Sequence, residues 1–182
     1  ERDEGRDQRQ RGREKEQADV IRLLGKHRLV TLTGSGGVGK TRLAIKVGEQ
    51  LLGNYPDGVW LVELASLNDP MLLPKTVTTL FDLITQSDIS PLDLLINFLR
   101  AKSALLILDN CEHLVDACAH LAEPLLKNCA YLKILATSRE PLEITGEALY
   151  RVPSLIVPDL PYRLDTLRDF ESVRLFEERA QL

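Results

Sequence analysis

Apolar residues first fall into a helical rhythm at Ala18, Val20, Ile21 and Leu24, and a short β-branched run, Leu29 to Thr33, follows ahead of a cluster of glycines. A second helix is predicted from Gly39 to about Leu52. The segment "GVWLVEL", Gly58 to Leu64, has the Val and Trp content of a buried strand. Asp69 before Pro70 is a helix start, a cap followed by proline in the first turn. Ser90-Pro91-Leu92-Asp93 repeats that signal, and Leu92, Leu95, Phe98 and Leu99 supply one apolar face. The strand "LLILD", Leu105 to Asp109, comes next, then a helix of about four turns to Asn128. Two more strands are predicted, "LKILATS" (Leu132 to Ser138) and the shorter "ALYRV" (Ala148 to Val152). The proline-spaced "VPSLIVPDLP", Val152 to Pro161, reads as a linker. Leu167, Phe170, Val173 and Phe176 mark a last amphipathic helix.

Strands alternating with helices predict an α/β fold, a parallel sheet covered on both faces to make three layers. The expected division is a charged arm over 1–17, one domain over 18–152, and a linker with a helix over 153–182 that begins a truncated helical subdomain. The arm, "ERDEGRDQRQRGREKEQ", holds no aliphatic or aromatic residue and mixes both signs of charge, so it is expected to be disordered or frayed.

Composition narrows the partners. The 182 residues are 44% hydrophobic, enough for one core. A net charge of -4 and a pI of about 5.5 offer no generally basic face, so DNA contact is expected only through domains outside this segment. The apolar run Ala104 to Leu108 is far shorter than the roughly 20 residues of a membrane helix, and no membrane partner is expected. Three cysteines, Cys111, Cys118 and Cys129, lack C-x-x-C spacing, which points to a reducing compartment, the cytoplasm. Cys111 with His113 and Cys118 with His120 repeat at seven residues, but such thiols suit core packing better than zinc.

The chemistry lies in "GSGGVGKT", Gly34 to Thr41, which matches G-x-x-x-x-G-K-[ST] between a predicted strand and a predicted helix. Gly34, Ser35, Gly36, Gly37, Val38 and Gly39 can turn their N–H groups inward as a nest for phosphate oxygens, backed by the positive end of the helix. Lys40 adds a mobile charge for the β- and γ-phosphates, Thr41 offers a hydroxyl to Mg²⁺, and Arg42 follows in the same turn. Asp109, at the end of an apolar strand, supplies the carboxylate that faces the metal in such sites. Thr41 and Asp109 are thus the candidate metal ligands.

The stretches "TLTGSGGVGKTRLA", "DGVWLVELASLNDP", "LLILDNCEHLVDACAHLAEPLL" and "ILATSREPLEITGE" together resemble the ATPase module of STAND-type (NB-ARC-like) proteins. They are similar in particular to bacterial regulators of the LuxR and AfsR/SARP type. From about Gly12 onward, the resemblance implies ATP and ADP as ligands with Mg²⁺, and a sensor strand lying between the P-loop strand and the Mg strand. Gly12-Arg13-Glu14 resembles a motif near the adenine, with Gln10 and Arg11 where the family has apolar residues. Thr137-Ser138-Arg139 resembles the sensor segment, whose arginine reaches toward the γ-phosphate. Further helical and winged-helix portions, with a nucleotide-contacting histidine, would lie beyond Leu182, and the module would assemble into a homo-oligomer on activation.

Asn110 stands where related ATPases place a second acid to activate the attacking water. Its amide can position a water but cannot take its proton. Glu112 is the nearest candidate base, although an acid at a helix start is also ordinary dipole compensation. The reading is a slow ATPase acting as a nucleotide switch. The alternatives are a small-molecule kinase, for which no arginine-rich lid is found between the Mg and sensor strands, and a scaffold that binds nucleotide without cleaving it.

Overall fold

A computed structural model of the chain describes residues 4–84 and 88–153, with side chains from Glu14 onward. The expected helix carrying Leu167, Phe170, Val173 and Phe176, and the linker from residue 154, lie outside the described residues.

Five parallel strands form one sheet: β1 (Leu29–Thr33), β2 (Val59–Glu63), β3 (Leu105–Asp109), β4 (Lys133–Ser138) and β5 (Glu147–Arg151), in the order β2-β3-β4-β1-β5. The strand carrying Thr137 lies between the P-loop strand and the strand of Asp109, as the family resemblance implies. Helices α1 (Glu4–Lys26) and α2 (Lys40–Leu51) cover one face. Helices α3 (Leu73–Leu80), α4 (Pro91–Leu99) and α5 (Val115–Asn128) cover the other. The fold is α/β in three layers.

Side chains alternate across a strand, and here the alternation decides which residues reach which layer. Leu105 and Ile107 of β3 pack with Val30, Leu32, Leu43 and Val47 on the α1–α2 side. Leu106 and Leu108 pack with Leu95, Leu99, Leu121 and Leu125 on the α3–α5 side. Every residue of β3 is buried, as expected of a strand flanked by strands and covered on both faces. Each such leucine contributes about 1.5–3 kcal/mol by leaving water.

Two elements differ from what their sequence pattern alone conveys. Helix α1 runs from Glu4 to Lys26, across the expected boundary at residue 17. Glu, Gln, Arg and Lys are good helix formers. Val20 and Leu24, packed against the sheet, pay the nucleation cost from which such a helix can extend. Secondly, "GVWLVEL", expected as a buried strand, holds the edge strand β2, and of its residues only Val62 and Leu64 are buried. Trp60 is half-buried, its ring tilted against Phe81 at 4.7 Å and its indole N–H donated to the Asp57 carbonyl at 2.8 Å.

The predicted starts hold. Asp69 accepts from the Met71 N–H, and Ser90 accepts from the Asp93 N–H. A 3₁₀ turn, Cys111–His113, intervenes between Asp109 and α5. Cys111, Cys118 and Cys129 are free and buried, whereas His113 and His120 are exposed. Among the described residues, no helix is long and apolar enough to cross a membrane.

Candidate nucleotide site

The sheet delivers β1, β3 and β4 to one end, and there the sequence-predicted residues meet. The loop from Gly34 to Gly39 leaves β1 and enters α2 at Lys40. Gly37 and Gly39 take φ of 81° and 91°, in the left-handed region where a side chain is costly. Gly34 is required for a second reason: a Cβ there would stand 3.2 Å from both the Val152 carbonyl and a Val38 methyl. Val38 itself is buried in the core beneath the loop, while Ser35, Gly36, Gly37, Thr41 and Arg42 are exposed.

Lys40 is only 8% exposed, and its ammonium donates to the carbonyls of Gly34 (2.8 Å) and Ser35 (3.1 Å). A buried cation is held here by loop oxygens in a cradle whose glycines leave the backbone open to solvent. These are the donor set and the access that phosphate oxygens need.

Strand parity explains Asp109. It shares the face of Leu105 and Ile107, the face on which α2 begins, so its carboxylate meets Thr41 in the first turn of that helix. Asp109 Oδ1 accepts from the Thr41 hydroxyl at 2.8 Å and from the Thr137 hydroxyl at 2.6 Å. Thr137 in turn accepts the Asn110 backbone N–H at 2.9 Å. A buried carboxylate is thereby fixed in place by two hydroxyls. Thr41 and Asp109 present two hard oxygen ligands, a set that suits Mg²⁺, which takes few protein ligands and keeps waters and phosphate oxygens for the rest.

Asn110 adopts φ 66°, a left-handed conformation that asparagine tolerates better than most residues. Its Nδ2 lies 3.4 Å from His113 Nδ1, and His113 Nε2 lies 2.9 Å from the Leu67 carbonyl. A carbonyl can only accept, so neutral His113 carries its proton on Nε2 and leaves Nδ1 as acceptor. That arrangement directs the Asn110 amide nitrogen to His113 and leaves its oxygen for another donor.

Glu112 does not cap α5, whose first turn receives no side-chain cap. Its Oε1 instead accepts from Arg139 Nε at 3.2 Å, and its Oε2 is buried without a partner. Arg139 reaches the loop as well: its Nη2 would lie 3.6 Å from a Cβ on Gly36. The Cys111 thiol is pushed well up, chiefly by its hydrogen bond with Cys118 and then by burial, so it stays protonated behind the site. The side chain of Arg13 lies outside the described residues. A groove of about 440 Å³ between β2 and α3, lined by Leu61, Glu63, Thr76 and Thr79 among others, lies at the far edge of the sheet and does not include the loop.

The AAA domain family matches residues 22–145, a span that holds the loop, Asp109 and Arg139. The chain belongs to the AAA domain family. Within this AAA domain the matched span begins inside α1 and ends just before β5. A Mycobacterium tuberculosis protein named "Putative HTH-type transcriptional regulator Rv0890c" is 43% identical over 158 residues, covering 87% of this chain and 16% of that protein. Another protein of that organism, Rv0894, is 38% identical over 170 residues, covering 93% of this chain and 40% of its own length. The AAA domain thus spans less than half of either relative. Among solved structures, a Signal Transduction ATPase with Numerous Domains (STAND) protein with a tetratricopeptide repeat sensor from Pyrococcus horikoshii matches in fold. Its TM-score is 0.56 at 18% identity, over 76% of this chain and 23% of that one.

Sequence reasoning named Thr137 only as part of the sensor segment and missed its bond to Asp109. The signal was available: Thr137 has the parity of Leu135, which faces the α1–α2 side, and its strand neighbours β3.

Proposed function

We propose that this AAA domain binds ATP and ADP with Mg²⁺ and serves as a slow nucleotide switch of the STAND type within a larger regulatory protein. The observation that carries this reading is the convergence of Lys40, Thr41 and Asp109, with Thr41 and Asp109 2.8 Å apart beside a glycine cradle. In it, Lys40 turns its donors from loop carbonyls to the β- and γ-phosphates, and Thr41 and Asp109 hold the metal. Mg²⁺, when bound, neutralises phosphate charge. Thr137 keeps Asp109 aimed, and Arg139 reaches the γ-phosphate and distinguishes ATP from ADP. Asn110 positions the attacking water without taking its proton, so hydrolysis is slow and works as a reset.

The relative named as an HTH-type regulator supports a place in a transcriptional regulator. DNA contact would then be made by parts of the protein outside this segment, with helical and winged-helix portions closing over the nucleotide and a homo-oligomer forming on activation. Arg13 would lie near the adenine.

A second reading is a scaffold that holds nucleotide without cleaving it, favoured by the amide at Asn110 and by the engagement of Glu112 with Arg139. Phosphate released per chain with excess ATP and Mg²⁺, against Lys40→Ala as the blank, separates the two. Repeated turnover supports the slow ATPase. Tight nucleotide retention without release supports the scaffold, and absence of binding defeats both.

A further inference from the structure

Glu112 and Arg139 stand 27 residues apart in sequence and come from different elements, the 3₁₀ turn after β3 and the end of β4. Their contact is a single bond from Nε to Oε1, not a two-point fork, so the remaining guanidinium nitrogens are free to turn elsewhere. The two ends are unequal. The Arg139 side chain is 66% exposed and Glu112 only 17%, and Glu112 Oε2 is buried with no partner. The mobile member is therefore the arginine, and it already lies against Gly36 of the loop.

We infer that Glu112 is a positioning residue that sets the preference between ATP and ADP by holding Arg139, so that a γ-phosphate must compete with the Glu112 carboxylate for the same guanidinium. This rests on the nucleotide reading above. A terminal phosphate group carries more negative charge and more acceptor oxygens than one carboxylate, and Arg139 pairs with either through the same planar donors. ADP lacks the competing group and leaves the Glu112–Arg139 pair intact. The pair therefore penalises ATP selectively, and the γ-phosphate is sensed as a change of arginine partner. Release of Arg139 also frees Oε1 of Glu112, so that oxygen becomes an available acceptor only when a γ-phosphate is present.

The test is equilibrium titration of the intact chain with ATP and with ADP, each with Mg²⁺, for wild type, Glu112→Gln, Arg139→Ala and the double variant. Expected is tighter ATP binding by Glu112→Gln, about three- to fivefold as befits a partly exposed ion pair, with ADP affinity unchanged. Arg139→Ala brings ATP affinity down toward that of ADP, and on that background Glu112→Gln has no further effect. An unchanged ATP-to-ADP ratio in Glu112→Gln overturns the inference. So does the same shift with and without Arg139, since Glu112 would then act on the phosphate directly. Should Glu112→Gln unfold, Glu112→Asp, whose shorter carboxylate reaches less far, carries the same expectation. Failure of the wild type to bind ATP is a different result: it removes the nucleotide reading itself.

Discussion

Strands β2 and β3 run side by side in register, Val59 with Leu105 through Glu63 with Asp109, and each is an apolar run closed by an acid. Their fates differ. All of β3 is buried, and Asp109, 8% exposed, is held by the hydroxyls of Thr41 and Thr137. In β2 only Val62 is buried, and Glu63 opens to solvent at the sheet edge. The pattern "apolar strand, then acid" does not make a site. Position in the sheet does, because only an inner strand brings its terminal carboxylate between the helix that follows the loop and a neighbouring strand's threonine.

The contrast predicts its largest effect at the two acids. Asp109→Ala lowers phosphate release by about a hundredfold, the size expected when one group stabilising phosphate charge is removed. Glu63→Gln changes it by less than about threefold. Equal losses in a phosphate-release assay would mean that the edge acid belongs to the chemistry and that burial does not distinguish the two strands.

Packing gives the next difference. Ile107→Ala in β3 is expected to cost about 2–5 kcal/mol in urea unfolding, and Leu61→Ala, its half-buried partner on β2, less than about half as much. A similar loss at both would show β2 to be covered in solution.

Two buried threonines sharpen the same point. Thr137→Val breaks the bond to Asp109 and strands the Asn110 N–H, costing about 1–3 kcal/mol. Thr31 of β1 has a buried hydroxyl without a partner, so Thr31→Val is neutral or stabilising by thermal melt.

The smallest effect concerns the contact between the two loops that lead into β2 and β3. Asp57 accepts the Ser103 N–H at 2.8 Å and Lys102 at 3.1 Å, and these hold its pKa below the usual carboxylate range, the Ser103 bond most of all. A carboxylate with a lowered folded pKa contributes stability that is present above its unfolded pKa, near pH 4, and lost as pH falls through the folded value. Asp57→Asn therefore lowers the melting midpoint slightly at pH 7 and flattens the acid limb of its pH profile.

Much of this was legible in the chain. The loop Gly34 to Thr41 carries its own geometry in its glycines, and the alternation of apolar runs names the layers. What escaped has physical reasons. Trp60 and Val59 have the composition of a core strand, but composition does not say how many neighbours a strand has. The charged stretch before Gln17 has no apolar periodicity, so its helix had no signal apart from the propensity of its residues. The Glu112–Arg139 pair and the Thr137–Asp109 bond join residues 27 and 28 positions apart, and only the order of the strands brings them together.

The central claim is that the ends of β1, β3 and β4 form a nucleotide site built on Lys40, Thr41 and Asp109. Its most direct test is equilibrium binding of ATP, with and without Mg²⁺, to the wild-type chain and to Lys40→Ala. Saturable binding that strengthens with Mg²⁺ and is lost in Lys40→Ala is the predicted result. Absent binding in the wild type, or binding untouched by Lys40→Ala, would contradict it.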